Sequence, residues 1–112
     1  MEGNTIYIAG AMTGKECFNF ESFFYWARVW RNRGWNVINP AQIDCEKMLS
    51  GWVYSPDQYN EVLAHDLHLI ETEADAIFMM IGWGDSNGAT MEFNKAEELG
   101  ILIKYEAREV AA

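Results

Sequence analysis

Residues Ile81-Gly82-Trp83-Gly84-Asp85-Ser86-Asn87-Gly88-Ala89-Thr90-Met91-Glu92-Phe93-Asn94-Lys95-Ala96-Glu97-Glu98-Leu99-Gly100 hold the change of pattern that decides the fold. Before them, Asp75 to Ile81 is a short apolar run, long enough for a buried strand and short for a helix, and Ala76 to Ile81 is read as strand three. After Gly88 the apolar positions Ala89, Phe93, Ala96 and Leu99 or Gly100 recur at helical spacing, with Glu92, Lys95, Glu97 and Glu98 between them. The stretch therefore reads as strand, tight polar loop, helix. Gly82, Gly84 and Gly88 permit unusual turns and a close approach of backbone to a ligand. Ser86 and Asn87 are turn or cap residues. Glu92 falls near the helix start, where free N–H groups and the helix dipole favour an anion and are expected to keep it ionised. Two readings fit: a carboxylate beside an anion-binding loop at the carboxyl ends of a parallel sheet, or an ordinary helix-start acid.

The 112 residues suit a single domain spanning 1–112. Half are hydrophobic and 14% aromatic, enough for a substantial core. A net charge of −9 argues against direct nucleic-acid binding, which needs a basic face. It leaves small anions open, because backbone N–H groups bind phosphate without basic side chains. No apolar run reaches the length of a membrane span, and the N-terminus lacks a signal-peptide pattern. Cys17 and Cys45 form no metal-type pair, so a cytoplasmic protein with reduced thiols is expected.

Thr5 to Ala9 is a β-branched and apolar run, read as strand one, and it feeds the loop Gly10 to Gly14. That loop carries neither the dinucleotide fingerprint nor the P-loop lysine. Asn19 is an expected N-cap for a helix to Arg33 with Phe20, Phe23, Phe24, Ala27 and Trp30 on one side and Gly34 as its expected C-cap. Trp35 to Ile38 is strand two, stopped by Asn39-Pro40, which completes a βαβ unit with parallel strands. Ala41 to Leu49 suits a short helix. Gly51 to Tyr54 suits an aromatic loop that either stacks on a base or covers the core. Ser55-Pro56 with Gln58 marks the start of a helix to about Glu73, carrying Val62, Leu63, Asp66, Leu67 and Ile70. His65 and His68 find no third or fourth ligand in the pattern, so no metal is expected. Ile101 to Ile103 is strand four and Tyr105 to Ala112 a tail. The order of elements implies an α/β three-layer, Rossmann-like (flavodoxin-like) domain with a four- to five-stranded parallel sheet.

Four segments in this order carry a resemblance: Ile6 to Gly14, Asn36 to Pro40, Asp66-Leu67 leading to Ala74 to Ile77, and Gly82-Trp83 followed by Ser86 to Glu92. Together they resemble the nucleoside 2-deoxyribosyltransferase-like superfamily, and most closely its small phage and bacterial branch. The likeness spans nearly the whole chain. It implies that Glu92, following Gly88, is the nucleophile. This residue would attack the anomeric carbon of a 2′-deoxynucleoside or its 5′-monophosphate, displace the base and form a covalent deoxyribosyl-enzyme. A second base or water then accepts the sugar. Asp66 matches the aspartate that handles the base or its proton. Tyr7 and the loop Gly10, Ala11 and Met12 match the sugar side, and Ser86, Asn87 and Gly88 match the polar loop. Ser86 stands six residues before Glu92, the spacing of the serine that holds the 5′-phosphate in the nucleotide-hydrolysing branch. The chain is shorter than the characterised enzymes, whose sites are often completed by a neighbouring subunit.

These roles agree with the chemistry. A carboxylate beside the anomeric carbon stabilises and captures an oxocarbenium-like centre. A carboxyl of raised pKa eases departure of the base by protonating it. The resemblance thus implies an N-glycosidase or deoxyribosyltransferase without cofactor, acting on a small deoxynucleoside or deoxynucleotide, and a homo-oligomer of two or more subunits. Two rivals remain. One is a non-catalytic nucleotide-binding or sequestering module on the same fold; the other is a structural oligomer using Trp26, Trp30, Trp52 and Trp83.

Overall fold

The computed structural model describes residues 4–12, 19–51 and 59–107. Its elements are β1 (Thr5–Ala9), α1 (Phe20–Asn32), β2 (Asn36–Ile38), α2 (Pro40–Leu49), α3 (Tyr59–Glu73), β3 (Ala76–Met79), a single 3₁₀ turn (Trp83–Asp85), α4 (Asn87–Leu99) and β4 (Leu102–Tyr105). The strands form one parallel sheet in the order β2-β1-β3-β4. Four strands are therefore found among the described residues, the lower end of the expected range.

Strands buried on both faces read as continuous apolar runs, and the pattern here follows that rule. Ile6 to Ala9 and Ala76 to Met79 are all buried. Their side chains alternate between two layers. Ile6, Ile8, Ala76 and Phe78 pack with Phe23 and Trp30 of α1 and Ala41 of α2. Tyr7, Ala9, Ile77 and Met79 pack with Ile70 of α3 and Ala96 of α4. The aromatic stripe of α1 is thus core: Phe23, Ala27 and Trp30 are buried, with Phe20 and Phe24 packed against them.

The order 2-1-3-4 reverses direction between β1 and β3. The loops leaving their carboxyl ends therefore separate and frame a crevice. The two loops also touch. Met80 N–H donates to the Ala9 carbonyl at 2.9 Å. A Cβ placed on Gly10 would lie 2.3 Å from Met80 Cε and 3.2 Å from Met80 Cβ. The methyl end of Met80 can swing away; its Cβ cannot. Gly10→Ala is accordingly expected to destabilise the fold by about 1–3 kcal/mol, the usual range for overpacking, as read from the denaturant midpoint. An unchanged midpoint would mean that the two loops separate freely.

Several local expectations need correction. Asn19 occupies the N-cap of α1 in a left-handed conformation (φ 62°) and makes no side-chain cap; its amide donates instead to the Ala11 carbonyl at 3.0 Å. Asn39-Pro40 ends strand two and also starts α2: Asn39 Oδ1 accepts from Ala41 N–H at 3.0 Å and Pro40 sits in the first turn. Strand two begins at Asn36 rather than Trp35. Strand three ends at Met79, and Ile81 is 40% exposed. Tyr105 belongs to β4 rather than to the tail. Gly34, with φ +93°, follows the cap of α1 in a full Schellman pair, Gly34 N–H to Arg31 O at 3.0 Å and Trp35 N–H to Trp30 O at 3.1 Å. The Thr13-Gly14 end of the first loop, Cys17, the Trp52 to Tyr54 segment, the Ser55-Pro56 start signal with Gln58, and residues 108–112 lie outside the described residues. Among the described residues no helix is long and apolar enough to cross a membrane.

Candidate active site

Tyr7 lies at the middle of β1 and is fully buried. Its side chain projects to the α3–α4 side of the sheet. There its hydroxyl donates to Glu92 Oε2. Glu92 stands on the buried stripe of α4 with Ala89 and Ala96 and is 6% exposed. Among the described residues Glu92 is the one charged residue that is buried, on a stripe that otherwise carries alanines. The Tyr7 hydroxyl satisfies one of its oxygens. Glu92 also lines a cleft.

That cleft is walled by four helices and two loops. Gly10 and Met12 come from the loop after β1, and Ser86 from the loop after β3. Gly88, Ala89 and Glu92 come from α4, Val62, Leu63 and Asp66 from α3, Pro40, Asp44 and Met48 from α2, and Phe20 and Phe23 from α1. Ser86 also caps α4. Its Oγ accepts from Ala89 N–H at 3.2 Å, and its carbonyl accepts from the Thr90 hydroxyl at 2.8 Å. Six of the expected site residues therefore line one space: Gly10, Met12, Asp66, Ser86, Gly88 and Glu92. Tyr7 stands behind Glu92. Ala11 is buried and Asn87 is directed elsewhere, its amide 3.9 Å from Met91 Sδ; neither lines the cleft.

The electrostatics are dominated by acids in a poorly solvated place. Burial pushes the Asp66 carboxyl up to about 7, and the nearby Asp44 adds to the rise, while Lys47 and the Tyr7 hydroxyl oppose it. Glu92 is raised well above the usual carboxyl range, first by burial and then by Asp66, against the Tyr7 hydrogen bond. Tyr7 is raised well above the usual phenol range by burial and by Glu92. The expectation that the helix start keeps Glu92 ionised is thus corrected. Glu92 sits six positions after the cap residue Ser86, beyond the free N–H groups, and burial outweighs what remains of the dipole.

Asp44 is the residue that a reading of the sequence misses. Its signal is the spacing Pro40, Asp44 and Met48, one helical face whose three members all line the cleft. Burial raises its carboxyl, opposed by Lys47 and His65. His65 and His68 are exposed, and among the described residues no three Asp, Glu, His or Cys side chains converge as metal ligands.

Residues 4–105 match the family described as a domain of unknown function, DUF4406. The chain belongs to this family. No curated protein matches it. In this family member, then, a tyrosine-held glutamate, a second carboxyl that holds a proton near neutral pH and a serine-capped helix start meet at the switch point of the sheet. Chemically the set can offer one nucleophilic oxygen, one proton donor and hydrogen bonds to an anion.

Proposed function

We propose that the protein cleaves or transfers the N-glycosidic bond of a 2′-deoxynucleoside or its 5′-monophosphate, with Glu92 as nucleophile. The observation that carries this reading is the pairing of Glu92, oriented by Tyr7, with Asp66 in one cleft. The reactive form holds one proton on the pair, on Asp66. A Glu92 oxygen bonds to C1′ as the C1′–N bond breaks. The bonding electrons leave with the base, which takes the proton of Asp66. The product is a deoxyribosyl ester of Glu92. Water or a second base then bonds to C1′, Asp66 recovers a proton from it, and the ester oxygen leaves as the Glu92 carboxylate. Met12, Phe20 and Phe23 on the cleft wall suit apolar faces of sugar and base.

The 5′-phosphate has a natural place at Ser86 and the N-terminus of α4. Ser86→Ala is expected to cost about 1 kcal/mol of stability through the lost cap. It is also expected to raise KM for 5′-monophosphates more than for nucleosides. Equal effects on both, measured by steady-state kinetics, would remove the phosphate from that position. The proposal includes a cytoplasmic homo-oligomer. Leu102 and Tyr105, more than half exposed on the edge strand β4, offer it apolar surface, and sedimentation tests this.

One feature favours a second reading, a non-catalytic module that binds or sequesters nucleotides: burial raises the Glu92 carboxyl well above the usual carboxyl range, which disfavours the ionised nucleophile. The deciding experiment incubates the protein with a panel of 2′-deoxynucleosides and their 5′-monophosphates, with and without a free second base. Released and exchanged bases are read by chromatography. Base release alone makes it a hydrolase; exchange that needs the second base makes it a transferase. Tight ligand retention without either gives the binding module.

A further inference from the structure

The cleft contains a third carboxyl that the proposed reaction does not use. Asp44 faces it from α2, on the same helical face as Pro40 and Met48. Asp44, Asp66 and Glu92 line the same cleft from α2, α3 and α4, and Asp44 is close enough to Asp66 to raise its carboxyl. A ligand whose reacting carbon sits at Glu92 and whose leaving ring reaches Asp66 therefore also meets Asp44. Among the described residues that side of the wall also carries the apolar Met48, Val62 and Leu63, which offer Asp44 no side-chain hydrogen bond. Burial raises the Asp44 carboxyl, and Lys47, one turn along the same helix, and His65 of α3 oppose the rise. With the proton of the proposed reaction on Asp66, Asp44 is the other carboxyl on that side of the cleft and is left to accept a hydrogen bond.

We propose that Asp44 selects the base: its carboxylate accepts from an exocyclic amine that stands beside the ring nitrogen facing Asp66, so the cleft takes bases of the adenine and cytosine pattern over their oxo counterparts. This rests on the nucleoside reading of the cleft and not on bond cleavage. An oxo base presents an oxygen where the amine would be, so acceptor faces acceptor and neither group is satisfied.

The test uses two nearly isosteric pairs, 2′-deoxyadenosine with 2′-deoxyinosine and 2′-deoxycytidine with 2′-deoxyuridine, each as nucleoside and as 5′-monophosphate. Binding is measured by calorimetry and base release in parallel. The full chain is expected to bind the amino member of at least one pair about 10- to 100-fold more tightly than the oxo member. In Asp44→Asn, whose amide can donate to the oxygen, the ratio falls to one or below. A wild-type ratio near one in both pairs overturns the assignment, as does a ratio that Asp44→Asn leaves unchanged. The wild-type ratio alone can overturn it if the variant fails to fold. Amine preference without base release supports Asp44 and defeats the cleavage reading. Base release without preference does the reverse, and binding of no member of either pair defeats both.

Discussion

Glu92→Gln is expected to lower turnover by at least about 10³-fold and to gain stability over the wild type as the pH rises. The loss follows from the chemistry: an amide oxygen is a poor nucleophile, and the neutral side chain no longer stabilises positive charge at C1′. The stability effect follows from the site. Burial and the neighbouring Asp66 raise the Glu92 carboxyl well above its ordinary value. Between the ordinary carboxyl range near 4.3 and the raised folded value, the folded chain therefore holds a proton that the unfolded chain has lost. The associated stabilisation is complete below about pH 4. It declines as the pH rises and is gone above the folded value. Glutamine titrates at neither end, so its stability carries no such decline. The difference in Tm should move in favour of the variant between pH 4 and 9, by on the order of 5 °C. Scanning calorimetry across that range checks it. A gap that does not change with pH would mean that Glu92 is solvated and ionised in the folded protein. Loss of activity with gain of stability is the usual signature of a site that strains its host.

Asp66→Asn is expected to lower kcat by about 10²- to 10⁴-fold, the range for loss of a positioned general acid. Its pH profile carries the diagnosis. The reactive form has one proton shared by Asp66 and Glu92, so wild-type kcat/KM should be bell-shaped, with both limbs belonging to the pair. The value of about 7 at Asp66 belongs to the first proton to leave the pair and places the acid limb there; the high-pH limb appears when the last proton leaves, above that value, because burial and the ionised Asp66 raise Glu92. Asparagine cannot donate this proton, so the variant should lose the alkaline fall as well as the rate. A substrate whose leaving group departs without protonation should be cleaved almost equally by both proteins. An alkaline limb that survives in the variant would assign the proton donor elsewhere.

Much of the fold was written in local patterns. Thr5 to Ala9 and Ala76 to Met79 show the unbroken apolar runs of central parallel strands, and α1 shows its buried face directly. The positions at element ends were harder, because there tertiary contacts compete with propensity. Asn19 has the chemistry of a cap, yet its amide is used by the Ala11 carbonyl across the mouth of the crevice. Asn39-Pro40 reads as a stop and is equally a start. For the site, six residues named from the sequence line one cleft, but their order along the chain says nothing about solvation. Glu92 stood near a helix start, which argued for a charged group. Its place between Ala89 and Ala96 on the buried stripe, under Tyr7 and beside Asp66, reverses that. Asp44 was hidden for a related reason: in a helix with little amphipathic contrast, only the three-dimensional wall shows which face matters.

The central claim is that Glu92 bonds to the sugar. Its most direct test is rapid acid quenching of the protein mixed with an accepted deoxynucleoside or deoxynucleotide, followed by intact-mass and peptide-level mass spectrometry. The account predicts a deoxyribosyl adduct that appears within one turnover, maps to the peptide carrying Glu92, disappears as acceptor is consumed and is absent from Glu92→Gln. Base release at full rate with no adduct on that peptide, or an adduct at another residue, would contradict it.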